Sequence, residues 1–147
     1  MTTTKLTTHR SMSLTHAAFT DLAAIRRFVA NACADAHASP DARDSLELAV
    51  DEACTNVIEH GYPKTAPGPV GVTFEADDRE LRVHLVDRGK PFPPDDAPLA
   101  DTISGWVRRF PGGLGWHLIK NVVDSVTYAT ESDGSNRLTL VVVRRPS

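Results

Sequence analysis

The chain has 147 residues, the size of one ordinary domain, with 41% apolar and 24% charged residues and a formal net charge of −3, a composition that reads as soluble and globular. No basic stripe argues for nucleic acid, since Arg108–Arg109 and Arg144–Arg145 are isolated pairs, and no apolar run reaches the length of a membrane span. Cys33 and Cys54 form no metal or redox motif and the six histidines show no ligand spacing, which argues against zinc and for a reduced, cytoplasmic setting.

Residues 1–10, MTTTKLTTHR, are polar and Thr-rich and lack the apolar core of a signal peptide. They are expected to form a flexible leader ahead of a single domain spanning 11–147. Ser11 to Thr15 alternates, with Met12 and Leu14 on one side, and predicts a short edge strand. A first helix is predicted from Thr15 or Thr20 to Ala38, marked by Leu22, Ile25, Phe28, Val29 and Ala32. Ser39-Pro40-Asp41 breaks it, and Pro40 suits the first turn of a second helix. That helix carries Leu46, Val50, Ala53 and Val57 on one face and stops at Gly61-Tyr62-Pro63, where glycine caps and proline forbids continuation.

A Pro/Gly loop from Lys64 to Pro69 leads into a β-hairpin. Val70, Val72, Phe74 and Ala76 alternate, Asp77 to Glu80 turns, and Leu81, Val83 and Leu85 alternate back. Asp87 to Phe110 has four prolines between Pro91 and Pro98 and little periodicity, and a loop of that length in a compact domain reads as a lid. A third helix is expected over Leu114 to Val123, then a strand from Ser125 to Thr130, a turn at Asp133-Gly134-Ser135-Asn136, and a closing strand from Arg137 to Val143. Interspersed helices and hairpins predict an α+β two-layer sandwich, a mixed and mainly antiparallel sheet with helices on one face. The other face would carry Arg82, His84 and Thr139, which makes His84 a solvent-side strand residue.

Three short stretches carry possible chemistry. On the second helix, Glu52 and Asn56 lie one turn apart, with Glu59, on a stripe bordering the apolar face. There a carboxylate could accept a proton and a carboxamide could offer oxygen to a metal ion; both residues could equally be ordinary solvated positions. Asp87-Arg88-Gly89-Lys90-Pro91-Phe92 follows the hairpin. A carboxylate there could accept from the exocyclic amine of adenine, and Gly89 could let a base approach the backbone, although Asp and Gly also simply make turns. Gly112-Gly113-Leu114-Gly115 opens the third helix, where free N–H groups and the helix dipole favour an anion. It is neither a Walker A loop nor a dinucleotide fingerprint.

In this order and on these elements, the three stretches resemble the N, G1 and G2 boxes of the GHKL ATPase superfamily, shared by histidine kinases, gyrase, Hsp90 and MutL. EACTNVIEHGYP, DRGKPF, GGLGWHLIKNVVDSVTY and the closing SNRLTLV are similar, more narrowly, to the bacterial anti-sigma-factor serine kinases, over nearly everything from Met12 to Arg144. The resemblance implies a Bergerat-type ATP-binding fold and an ATP- and Mg²⁺-dependent protein serine/threonine kinase. Such a protein binds a sigma factor, phosphorylates a STAS-type anti-anti-sigma protein, and forms a homodimer. It implies that Glu52 is the general base, that Asn56 reaches Mg²⁺, and that Asp87 reads adenine with Gly89 beside the base. Gly112, Gly113, Leu114 and Gly115 become the phosphate loop, and Thr139 lies near the adenine. Pro91 stands where the wider superfamily has a second glycine. Pro111 stands where some relatives carry an arginine that touches the terminal phosphate, and phosphoryl transfer depends on such positive charge. The alternative is therefore an ATP-binding regulator that acts on its partners by binding alone. A sensor histidine kinase core would need a preceding dimerisation helix with a phosphoacceptor histidine. Trp116, after the last glycine, is expected to pack under the lid or at a subunit contact.

Overall fold

A computed structural model describes residues 7–94 and 113–145. Its described elements run in the order β1 (Thr8–Leu14), α1 (Leu22–Asp35), α2 (Pro40–Asn56), β2 (Val70–Ala76), β3 (Glu80–Asp87), α3 (Gly113–Val122), β4 (Ser125–Thr130) and β5 (Asn136–Val143). The described strands form one sheet in the order β1-β2-β3-β5-β4. Every described pairing is antiparallel, so the parallel component expected of a mixed sheet is not found among these residues. α2 lies at the centre of the helical layer, against α1 and α3 on either side and against β3 and β5 below.

Period-two alternation builds the lower wall of the core. Val72, Phe74, Leu81, Val83, Leu85, Leu138 and Leu140 all point inward and are buried. Ile25, Val29 and Ala32 of α1, Leu46, Val50 and Ala53 of α2, and Ile119 of α3 cover them. Cys33 and Cys54 are free and buried in this layer, and burial pushes both thiols up, Cys33 to about 12. Such thiols have no reactive character. The opposite face of the sheet is polar. Ser11, Thr73, His84, Thr139 and Thr127 stand in one row across the strands, and Thr139 Oγ1 meets His84 Nδ1 at 2.9 Å.

Element boundaries differ from expectation where side chains or caps decide them. β1 begins at Thr8 because Thr8 to Arg10 pair with Phe74 to Ala76, so the last residues of the expected leader belong to the sheet. Before α1, Phe19–Asp21 forms one 3₁₀ turn, in which the Asp21 carboxylate accepts from the Ala18 N–H at 2.9 Å. α1 stops at Asp35, short of Ala38, since His37 adopts the left-handed conformation (φ 57°). His37 N–H then donates to Ala34 and Ala38 N–H to Cys33, a Schellman cap closed without glycine. At α2, Ser39 caps the Ala42 N–H at 3.1 Å with Pro40 in the first turn, as the sequence predicts. The far end of α2 widens into a π-helical turn over Val57–Gly61, a local geometry no sequence pattern announced.

Candidate active site

Glu52 and Asn56 reach the site from the last two turns of α2. Asn56 is 3% exposed, and neither its Oδ1 nor its Nδ2 has a hydrogen-bond partner. A buried carboxamide with both ends unpaired is unusual, because each unmade bond costs about 1–3 kcal/mol. Glu52 is half-buried beside it. Burial pushes its carboxyl above the ordinary range, and the negative charges of Asp51 and Glu59 add to the rise.

The opening turn of α3 lies directly over these two side chains. A Cβ at Gly115 would stand 3.0 Å from Glu52 Oε2 and 3.4 Å from Asn56 Oδ1. Thus the second-helix stretch and the glycine stretch, some sixty residues apart, meet in space. Gly113 is the first residue of α3, and Leu114 follows it. Gly112, Pro111, Arg108, Arg109 and the expected lid from residue 95 onward lie outside the described residues.

Asp87 ends β3 on the inner face of the sheet and is buried. Its Oδ1 accepts from the Gly89 N–H at 2.8 Å and from Asn136 Nδ2 at 2.9 Å. Burial raises its pKa, and these two bonds oppose the rise. Asn136 stands opposite Asp87 in the β3–β5 register and is 1% exposed. Its amide also donates to the Gly89 carbonyl at 2.9 Å, while its Oδ1 accepts from Thr130 Oγ1 at 3.0 Å. All of its polar atoms are therefore used to hold the Asp87–Gly89 corner.

One expectation is corrected here. Thr139 is three residues beyond Asn136, an odd step along a strand, so it lies on the outer face with His84 and not beside Asp87. The β5 residue at the acid is Asn136. The available signal was parity: Asn136 shares phase with Leu138, Leu140 and Val142, a polar residue on an apolar face. Gly89 is also required by packing. A Cβ there would fall 2.4 Å from the Gly61 carbonyl oxygen, and Lys90 N–H donates to that same oxygen at 2.7 Å. The glycine lets the chain press on the π turn ending α2. Pro91, next along, is exposed.

Asn56, Asp87, Leu85, Leu138, Trp116 and Phe92 are among the residues that line a cavity of about 20 Å³ between α2, α3 and the sheet. A larger groove of about 450 Å³ lies at the other end of α2, between Ser39, Ser45 and Asp124, remote from this chemistry.

Comparison with known proteins settles the lineage. Residues 15–142 match the family described as the histidine kinase-like ATPase domain. The chain belongs to that family. Among known proteins, it is 32% identical over 101 residues to the serine/threonine-protein kinase BtrW of Bordetella bronchiseptica, covering 67% of this chain and 68% of that one. It is 31% identical over 115 residues to the serine-protein kinase RsbW of Staphylococcus epidermidis, covering 74% and 71%. Among solved structures, the fold is similar to that of the RsbU and RsbW domains of a Mycobacterium tuberculosis protein (TM-score 0.65, 17% identity, 94% of this chain and 34% of that one). A chain of the SiaB–SiaC complex from Pseudomonas aeruginosa has a similar fold too (TM-score 0.54, 14% identity, 94% and 90%). The expected α+β histidine kinase-like ATPase domain is borne out.

Proposed function

We propose that this protein is an ATP-dependent serine/threonine-protein kinase that acts as an anti-sigma factor by partner switching. It binds a sigma factor and phosphorylates a serine of a STAS-type anti-anti-sigma protein, as a cytoplasmic homodimer. The observation that carries the reading is the meeting of Glu52, Asn56 and Gly115 beside the amide-held acid Asp87. The serine/threonine-protein kinase and serine-protein kinase names of its relatives support it. No helix among the described residues is long and apolar enough to cross a membrane.

In this reading, Asp87 accepts from the exocyclic amine of adenine; guanine would turn a carbonyl toward the same oxygen. The N–H groups at the start of α3 face the phosphates, aided by the helix dipole. Glu52 takes the proton of the substrate serine as its Oγ bonds to the γ-phosphorus. The bond from that phosphorus to the β–γ bridging oxygen breaks, and ADP leaves. A raised carboxyl pKa brings Glu52 closer to working pH, as suits a general base. Asn56 suits Mg²⁺, since its buried Oδ1 lacks a partner and this hard ion is content with one protein oxygen beside phosphates and waters. When bound, the ion neutralises phosphate charge.

Incubation with [γ-³²P]ATP, Mg²⁺ and candidate STAS proteins tests the assignment. The expected result is label on one serine, lost in Glu52→Gln while ATP is still bound. If no partner serine is labelled by a protein that binds Mg²⁺-ATP, the binding-only regulator replaces the kinase.

A further inference from the structure

The cavity at Asp87 has the right walls and the wrong size. About 20 Å³ is room for one water molecule, whereas sites for ligands of drug size span roughly 300–1,000 Å³. Three aromatic rings pack around it. Trp116 is 2% exposed, with its ring centroid 6.3 Å from Phe92 and 6.4 Å, edge-on, from Tyr128. Phe92 in turn stacks on His60 at 4.5 Å.

These rings are not equally anchored. The Phe92 N–H donates to the Tyr128 hydroxyl at 3.0 Å, and Tyr128 is held in β4 within the sheet. Trp116 sits in the first turns of α3, next to Gly115, and its indole Nε1 is buried without a hydrogen-bond partner. Both polar atoms of Asn56, on the same cavity wall, are in the same condition. A closed pocket with three unpaired polar atoms is stabilised by ring packing and opposed by unmade hydrogen bonds. A polar ligand entering beside Asn56 and Asp87 removes the opposition, and the indole is the ring whose movement also gains a bond.

We propose that Trp116 is an affinity-limiting residue of the base pocket: its indole occupies space that a purine nucleotide needs, and binding requires it to leave. The inference rests on the nucleotide reading of Asp87 and Asn56. The occluded arrangement lowers apparent affinity by the fraction of molecules that are open. Leucine at this position keeps an apolar, helix-compatible side chain while removing the bulk and the N–H.

Titration with Mg²⁺-ATP compares the wild type with Trp116→Leu, and thermal melting confirms the fold of each. The variant is expected to bind about tenfold more tightly, the effect of an open fraction near one in ten. Equal or weaker binding by a folded Trp116→Leu protein overturns the inference while leaving the nucleotide site standing. If neither protein binds ATP, the site assignment and the inference fall together. Should Trp116→Leu fail to fold, the decision passes to Trp106→Phe, which leaves Trp116 as the sole tryptophan of the two. Saturating ATP should then shift its emission to longer wavelength as the indole leaves the aromatic cluster, and unchanged emission overturns the inference.

Discussion

At the scale of single residues, Asn136 and Thr139 make the sharpest contrast. Asn136→Ala removes two donors from the Asp87–Gly89 corner, and the loss of one buried bond to the acid is worth about 1–3 kcal/mol. ATP affinity measured by calorimetry should fall about ten- to a hundredfold. Thr139→Ala, on the outer face, should leave that affinity unchanged; the reverse outcome would return the adenine contact to Thr139. Glu52 gives a pH prediction with a definite sign. Only its ionised form accepts a proton, and burial with two acidic neighbours holds its pKa above the usual carboxylate value. Phosphotransfer should therefore rise with pH through a pKa above about 4.3, the ordinary value for Glu. In Glu52→Gln that acid limb should vanish, with the rate down about 10²–10⁴-fold. Asp87 shifts in the same direction for stability: its raised folded pKa means that the folded state binds more protons, so its contribution weakens as pH climbs from the ordinary carboxylate value through the raised one.

Between elements, two glycines have opposite sensitivities. A Cβ at Gly89 would meet backbone at 2.4 Å, the Gly61 carbonyl of the π turn, and backbone cannot yield cheaply. Gly89→Ala should therefore lose stability, by about 1–3 kcal/mol or more, as overpacking does. A Cβ at Gly115 would meet the end of the Glu52 side chain at 3.0 Å, which can swing away. Gly115→Ala should melt near the wild-type temperature and still lose phosphotransfer, because the carboxylate is displaced. Equal melting losses in both variants would contradict this division. Nothing local to DRGKPF reveals that Gly61 lies against it.

For the molecule as a whole, Arg144 closes the fold. Its backbone N–H donates to the Arg79 carbonyl at 2.8 Å, its Nε to the Asp77 carbonyl at 2.8 Å, and its terminal nitrogen to the Ala36 carbonyl at 2.9 Å. The chain end is thus tied both to the hairpin turn and to the C-terminus of α1, where a cation also favours the helix dipole. Arg144→Ala should cost about 1.5–3 kcal/mol in denaturant unfolding, the range for bonds to charged groups, with ATP affinity intact. Loss of nucleotide binding in a folded variant would show that this corner reaches the site.

What the sequence determined by itself was everything governed by local period and local breakers. Alternation in β2 and β3 foretold the hairpin, Ser39-Pro40 the start of α2, and one-turn spacing the partnership of Glu52 with Asn56. The order of the three motifs then specified the ATPase family before any contact was known. Tertiary structure alone decided which residues meet across the strands. Register paired Asp87 with Asn136, and a single sequence carries no pairing information. It also decided that Trp116 lies buried at the base pocket with Phe92 and Tyr128. Those rings come from three separate segments, and their meeting depends on how α3 packs on the sheet.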